Sequence, residues 1–292
     1  MQFRAHNILL ADGRKTRGDN MLLADTVFMQ AIRTTIKKQL PQAENLKAVD
    51  LACLEGGFSV ELARMGFDTL GIDARKENLI NANFVKFTTG LNNLNFVLDD
   101  VRNLERYGTF DLVLCTGILY HLDQPAEFLK MLYRQTRHTL VLYSFYAPGF
   151  DLAYDVRSEI TRLRKKLRPG RKKKNISEIY QEIGITADER SSTPSYASHI
   201  KGTKLGWLTR NEGYAGRWYR EWDKDISREK VEGKIQTAYS NHRSFWFTKE
   251  ELLRAVRDAG FRNVEEQTMP LGDFHEKYPE HFYGRSLLVA MK

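Results

Sequence analysis

The chain has 292 residues, of which 42% are hydrophobic and 28% are charged, and its formal net charge at pH 7 is +8. This size suits one large α/β domain, with or without a sizeable insertion. Its two cysteines, Cys53 and Cys115, exclude a disulfide framework. Without a long apolar run or a signal-peptide pattern, the chain is expected to be soluble and cytoplasmic.

Residues 1–45 form an N-terminal lead and a helix in our interpretation. Asp12 and Gly13 predict the turn of a short hairpin. Residues 22–40 predict a helix that ends before Pro41, because an apolar residue recurs at every fourth position. These apolar residues are Phe28, Ile32, Ile36 and Leu40.

Residues 48–73 have the pattern of a strand, a tight turn, a helix and a second strand. Ala48–Cys53 is apolar enough for a buried strand, and Gly56 with Gly57 permits a tight turn. The helix ends at Gly66, and the next apolar run ends at Asp73. An acid in this place binds ribose hydroxyls in dinucleotide-type folds, so the unit predicts a nucleoside site.

Strands and helices continue to alternate through residue 146. A third strand ends at Asp99 and Asp100, and a fourth begins at Phe110 and leads towards His121. A helix over 126–135 and a fifth strand over 139–146 follow. This alternation predicts a doubly wound, mostly parallel sheet over residues 46–149, with the ligand beyond the carboxyl ends of the strands.

The alternation stops over residues 150–245, which we interpret as a large insertion after the fifth strand. Helices are expected over 155–167 and 177–182. Residues 246–292 return to the core pattern, with Thr248 and Glu251 as a capping box and a helix ending at Gly260. Two last strands are expected over 264–269 and 286–291.

Nine basic residues and no acidic residue lie within Arg162–Lys174, so the positive charge is a local feature. A solvated surface is the default interpretation of such a run. Binding of nucleic acid or of an anionic membrane surface is the alternative. The sequence does not predict an oligomeric state.

Four ordered motifs, DLACLEGGFSVELA, GIDAR, DDVRNL and GILYHLDQP, resemble those of class I S-adenosylmethionine-dependent methyltransferases. The first resembles a branch with a D-L-G-C-L-E-G loop, which is related to the tRNA wobble-uridine carboxymethyltransferase family. The resemblance implies a seven-stranded, Rossmann-like sheet that ends in an antiparallel pair. It also implies S-adenosylmethionine as the cofactor and an N-terminal helix over the cofactor mouth.

The same resemblance implies the cofactor residues. Asp73 is expected to bind the ribose, Asp100 with Val101 to frame the adenine, and Thr116 with Gly117 to close the floor of the site. The remaining candidates are Asp50, Ala52, Cys53, Glu55, Gly56, Ala74 and Tyr120. Ala52 and Leu54 stand where a G-x-G-x-G loop has glycines, which leaves open how closely the backbone approaches the ligand. The alternative for Asp50 and Asp100 is that they only cap helices or loops.

His121 is the candidate catalytic residue, because it follows the fourth strand and a histidine can take a proton from a hydroxyl nucleophile. The alternative is a structural histidine that bonds a backbone carbonyl. The other histidines lack metal-ligand spacing, so no metal site is expected.

We therefore expect a methyltransferase that acts on a small-molecule or glycan acceptor, with residues 150–245 as lid and acceptor pocket. An RNA-modifying enzyme, including a tRNA methyl- or carboxymethyltransferase, is the rival interpretation. A cofactor-binding protein of the same fold without turnover is the third.

Overall fold

Two β-sheets form the framework of the computed structural model, which describes residues 2–150, 155–156, 159–160, 163, 205–235, 237–267 and 284–292. The larger sheet has seven strands and the smaller has three. The described strands are β1 (Lys47–Leu51), β2 (Asp68–Asp73), β3 (Leu94–Leu98), β4 (Phe110–Thr116), β5 (Thr136–Phe145), β6 (Leu205–Asn211), β7 (Tyr214–Arg220), β8 (Arg243–Phe247), β9 (Arg262–Gln267) and β10 (Arg285–Met291).

The larger sheet has the strand order β3-β2-β1-β4-β5-β10-β9. Strands β1 to β5 pair with one another in parallel, whereas β10 is antiparallel to both β5 and β9. The predicted seven-stranded, mostly parallel sheet with a closing antiparallel pair is therefore confirmed. The strand order reverses between β1 and β4, which is where open α/β sheets bind their ligands.

Helices cover both faces of this sheet. The described helices are α1 (Val27–Gln39), α2 (Gly57–Arg64), α3 (Lys76–Thr89), α4 (Pro125–Gln135), α5 (Arg228–Glu232) and α6 (Lys249–Asp258). On one face, Leu114 of β4 shares a buried cluster with residues of α1 and α2. On the other, Val113 packs with residues of α4 and α6. Neighbouring residues of a strand point to opposite faces of the sheet. The continuous apolar sequence of β4 can therefore pack against the helices on both faces.

The small sheet is antiparallel and has the order β6-β7-β8. Its strand β8 leads directly into α6, and the Phe245 N–H donates to the Leu122 carbonyl at 2.8 Å. This bond attaches the small sheet to the segment that follows β4. The small sheet therefore lies beside the carboxyl end of β4, in the region where the sequence predicts the reaction site.

Several element boundaries differ from those predicted. Helix α1 begins at Val27 rather than near residue 22, because the Thr26 side chain caps it by accepting the Met29 N–H. Strand β5 begins at Thr136, directly after α4. The capping box at α6 is wrong: the Thr248 side chain makes no cap hydrogen bond, and the Glu251 carboxylate accepts from Arg254 Nε at 2.6 Å instead.

The predicted N-terminal turn is confirmed by an antiparallel bridge between Leu9 and Lys15 and by a left-handed Gly13. The helix over 177–182 lies outside the described residues, as do the helix over 155–167 and the basic run apart from isolated positions. In the described part of the chain, no helix is long and apolar enough to cross a membrane.

Candidate active site

The loop after β1 has left-handed backbone at alternate residues. The φ angles of Ala52, Leu54 and Gly56 are 57°, 51° and 80°. Residues with a side chain seldom adopt this conformation, which costs on the order of 1–3 kcal/mol at each such position. The loop thus adopts the glycine-type conformation at the two positions where the sequence lacks the expected glycines.

Asp73, at the end of β2, holds this loop in place. Its Oδ2 accepts the Leu54 N–H at 2.9 Å, and its Oδ1 accepts from Arg75 N at 2.8 Å and Asn78 Nδ2 at 3.0 Å. Burial raises the pKa of this carboxyl group. The three hydrogen bonds lower it, but by less. Because a carboxylate offers about four acceptor positions, roughly one remains on Oδ2 for a ligand hydroxyl.

Asp50 is buried in β1 and accepts the Ser59 hydroxyl at 2.6 Å. Burial raises its pKa to about 7, although hydrogen bonds from Ser59 oppose the rise. Ser59 lies in the first turn of α2. The described contacts of Asp50 therefore fit the alternative interpretation, in which this residue caps a helix. Its predicted contact with the cofactor stays a prediction.

Asp100 also has contacts that fit the capping interpretation. Its Oδ1 accepts the Arg102 N–H at 3.0 Å at the start of a 3-10 helix, and the Arg102 guanidinium pairs with it at 2.7 Å. Burial favours the neutral acid, but the hydrogen bonds and charge of Arg102 lower the pKa of Asp100 overall. Val101 is buried in the main core beside it.

Glu55 and His6 fasten the N-terminal lead to the cofactor loop. The buried Glu55 carboxylate accepts three successive backbone N–H groups, those of Arg4, Ala5 and His6, at 2.6 to 3.0 Å. His6 Nδ1 in turn accepts the Gly57 N–H at 3.1 Å, at the start of α2. Burial lowers the pKa of His6 to about 4, and the charge of Arg17 adds to this effect, although Glu55 opposes it. His6 is therefore a neutral acceptor that completes the helix terminus.

The end of β4 holds the remaining candidates. Gly117 is left-handed, with a φ of 87°, and the Tyr120 ring lies in contact with Phe145 and Trp246 at centroid distances of 4.4 and 5.5 Å. Burial raises the pKa of Tyr120, so its hydroxyl stays protonated. Thr116 is half-buried at the end of the strand, as is Ala74 after β2. Burial also raises the pKa of the Cys53 and Cys115 thiols, as expected of small buried residues.

His121 pairs with a carboxylate that the sequence analysis missed. Its Nδ1 lies 2.8 Å from Oε1 of Glu221, at the end of β7. Oε1 also accepts the Ser244 hydroxyl at 2.7 Å, and Oε2 accepts the Ala238 N–H at 3.1 Å. Although burial favours the neutral acid, the charge of His121 and these hydrogen bonds lower the pKa of Glu221 overall. The ring partner of His121 is thus a carboxylate, not the backbone carbonyl of the alternative interpretation.

Residues 237–242, which we name the strap, lie along the same edge of the sheet. The Thr237 carbonyl accepts from Arg75 after β2, and the Ser240 hydroxyl donates to Asp100 after β3 at 3.3 Å. The Asn241 side chain donates to the His121 carbonyl after β4 at 2.8 Å. The strap therefore bonds the segments that follow three strands of the predicted site, β2, β3 and β4. Neither its sequence nor its spacing signals this role.

No cluster of three or more His, Cys, Asp or Glu side chains that could hold a metal ion occurs among the residues that the structure describes.

Residues 42–184 match the family described as "Methyltransferase domain". The chain is 32% identical over 87 residues to a ubiquinone biosynthesis O-methyltransferase of Colwellia psychrerythraea. The matched region covers 30% of this chain and 35% of the relative. It is 29% identical over 120 residues to a tRNA U34 carboxymethyltransferase of Nautilia profundicola. This matched region covers 39% of this chain and 38% of the relative. The chain thus spans about two fifths or less of the length of these relatives.

Among solved structures, the chain is similar to the N-terminal domain of EvdMO1 with SAH bound. The TM-score is 0.60 at 20% identity, over 98% of this chain and 90% of that chain. This likeness shows the fold. The family match and the two named relatives confirm the resemblance to methyltransferases that the motifs indicate.

Proposed function

We propose that this chain, which carries a methyltransferase domain of the S-adenosylmethionine-dependent class, transfers a methyl group from that cofactor to a small-molecule or glycan acceptor. When bound, the cofactor supplies an electrophilic methyl group. The residues of this chain would bind and orient both substrates, exclude water and remove a proton, and positioning alone supplies much of the rate enhancement of such a displacement.

The proposal rests mainly on one observation. The loop after β1 is hydrogen-bonded to the acid at the end of β2, Asp73. Ala52 and Leu54 are both left-handed, and a bond to Asp73 rather than intrinsic preference maintains this conformation at Leu54. Strained backbone of this kind is found where a ligand requires close approach. The acceptor position left on Asp73 Oδ2 suits a ribose hydroxyl. The groups present therefore fit a nucleoside cofactor.

Aromatic side chains lie next to His121 in a buried cluster, which favours a small acceptor with a ring. Tyr120, Phe145 and Trp246 contact one another next to His121, whose ring lies 4.4 Å from that of Tyr120. Pockets for small ligands are lined mainly by such groups, with a few polar groups that fix orientation. The name of the Colwellia relative, an O-methyltransferase of ubiquinone biosynthesis, agrees with this choice.

An RNA acceptor is the second candidate. The Nautilia relative is named for tRNA U34, and the basic run Arg162–Lys174 would favour a polyanion. A protein that binds the cofactor without transferring the methyl group is the third.

A methylation assay with labelled S-adenosylmethionine tests these three candidates. The full chain is incubated with a metabolite extract, a glycan fraction and total tRNA, and S-adenosylhomocysteine binding is measured in parallel by calorimetry. We expect binding together with label in the metabolite or glycan fraction. Label in tRNA alone would favour the RNA enzyme, and binding without any transfer would favour the third candidate. Absence of binding would overturn the proposal.

A further inference from the structure

We infer that Glu221 is a positioning residue that holds His121 as the base for a hydroxyl acceptor, so that the methyl group is transferred to oxygen. This inference rests on the proposed function and adds the chemical class of the acceptor to it. The two residues come from segments next to different sheets, since His121 follows β4 of the large sheet and Glu221 directly follows β7 of the small one.

The pairing determines the proton positions on the imidazole ring. The Glu221 side chain is only 1% exposed, which favours the neutral acid, but the Ser244 hydroxyl and the Ala238 N–H donate to its two oxygens and favour the ionised form. An ionised carboxylate only accepts, so the proton of the neutral ring resides on Nδ1. Nε2 is then the basic atom.

Nε2 is available for chemistry. Within the described ranges, His121 has a hydrogen-bond partner on Nδ1 but none on Nε2. Its side chain is 12% exposed to solvent. The Asn241 side chain holds the His121 carbonyl, and the Tyr120 ring packs against the imidazole. Glu221 and Tyr120 therefore hold the ring and Asn241 holds the backbone of the residue, while Nε2 is not among the buried, unpartnered side-chain atoms of the described residues.

Glu221 is itself held by backbone and side-chain groups. Its N–H donates to the His242 carbonyl at 3.0 Å, and its carboxylate accepts from Ser244 on the adjacent strand and from Ala238. A carboxylate behind a functional histidine fixes the tautomer and the orientation of the ring. Because Glu221 does not contact Nε2, we assign it a positioning role.

A base in this place indicates an oxygen nucleophile. A neutral amine attacks through its lone pair, whereas a hydroxyl becomes a good nucleophile only as it loses its proton. In the step we infer, the acceptor oxygen forms a bond to the methyl carbon and the carbon–sulfur bond breaks. The electron pair of that bond goes to sulfur, and the hydroxyl proton goes to Nε2 of His121.

The substitution Glu221→Gln tests the inference. The side chain keeps its shape, but an amide accepts on one oxygen only, so it cannot serve both the Nδ1 proton and the Ala238 N–H. Glu212→Gln is the matched control, because Glu212 lies on the hairpin between β6 and β7 and accepts the backbone N–H groups of Ala126 and Glu127. It loses one acceptor position in the same way, at the start of α4 rather than beside His121.

The first readout is the imidazole tautomer in the ligand-free full chain, measured by long-range ¹⁵N–¹H NMR after histidine labelling, with His121→Asn to assign the signals. We expect the Nδ1-protonated form in the wild type and in Glu212→Gln, and its loss in Glu221→Gln. An Nε2-protonated wild type, or an unchanged tautomer in Glu221→Gln, would overturn the inference. This readout does not depend on the methyltransferase activity.

The second readout uses the fraction that the wild type methylates. We expect kcat to fall at least about tenfold in Glu221→Gln and about 10²- to 10⁴-fold in His121→Asn, with unchanged S-adenosylhomocysteine affinity. With ¹³C-methyl cofactor, the product should give a methoxy carbon signal. An N-methyl or S-methyl product would refute oxygen transfer while leaving the proposed function intact. Absent cofactor binding would instead refute the proposed function.

Discussion

The backbone N–H of Leu54 donates to Oδ2 of Asp73 at 2.9 Å, and this bond connects the loop after β1 to the acid at the end of β2. Leu54, which makes it, has a left-handed backbone with a φ of 51°. A hydrogen bond to a charged acceptor contributes roughly 1.5–3 kcal/mol, similar to the cost of the strained conformation. The bond can therefore offset the strain in the absence of a ligand.

Leu54→Gly should leave stability nearly unchanged, because relief of strain offsets the larger entropy of the unfolded chain. Leu54→Val should destabilise the protein by more than about 1 kcal/mol, since a β-branched residue is a poor fit to this conformation. Urea unfolding measures both, and calorimetry should show S-adenosylhomocysteine affinity kept in Leu54→Gly and reduced in Leu54→Val. Two variants with equal stability and affinity would contradict a strained loop.

Asp73→Asn should weaken S-adenosylhomocysteine binding at least about tenfold, because the ribose loses a charged acceptor. Asp68→Asn, at the other end of the same strand, should leave the affinity unchanged. Calorimetry on both variants, with thermal melting as a check of folding, measures the effect. Unchanged affinity in Asp73→Asn would place the ribose elsewhere.

His6 should make the protein lose stability in mild acid. Its folded-state pKa of about 4 lies below the ordinary 6.5, so the unfolded chain binds the proton first. Stability from the neutral ring is present above about pH 6.5 and is lost as the pH falls towards 4, by up to about 3 kcal/mol. His6→Asn, which keeps an acceptor for the Gly57 N–H, should lose less stability than the wild type between pH 7 and 5.

Urea unfolding at the two pH values measures this difference. His138→Asn, at an exposed histidine, serves as the control and should follow the wild type. A His6→Asn variant with the same acid sensitivity as the wild type would be inconsistent with a buried neutral ring.

Asp50 should act in the opposite direction over nearly the same range. Its folded-state pKa of about 7 lies above the ordinary 3.8, so the folded chain binds the proton first and stability falls as the pH rises from about 4 to 7. Asn stays neutral, so Asp50→Asn should gain stability relative to the wild type between pH 5 and 8. The difference in unfolding free energy between the two proteins checks this, and a difference independent of pH would refute it.

Neutralising Lys172, Lys173 and Lys174 should raise the acceptor KM more at low salt than at high salt, with cofactor affinity unchanged. These residues lie outside the described part of the chain, so the prediction depends on charge alone. Exposed charges act over a Debye length of about 10 Å at 0.1 M salt. A triple variant with wild-type KM at low salt would identify the run as an ordinary solvated segment.

The sequence by itself determined the core of the large sheet. Apolar runs, glycine stops and acids at strand ends are local signals, and they predicted the succession of β1 to β5 along the chain and the positions of Asp73 and His121, whereas the closing antiparallel pair was implied by the family resemblance. Boundaries at α1, β5 and α6 were less well predicted, since a single side-chain contact such as the Thr26 cap decides where a helix begins.

Only the tertiary structure decided the partners of these residues. Glu221 lies 100 residues from His121, and the N-terminal backbone groups bonded by Glu55 lie about 50 residues from it. The left-handed conformation of Leu54 depends on an acid 19 residues later. Hydrogen bonds at such separations leave no periodic trace in a chain, because they form only after the strands have brought their carboxyl ends to one edge of the sheet.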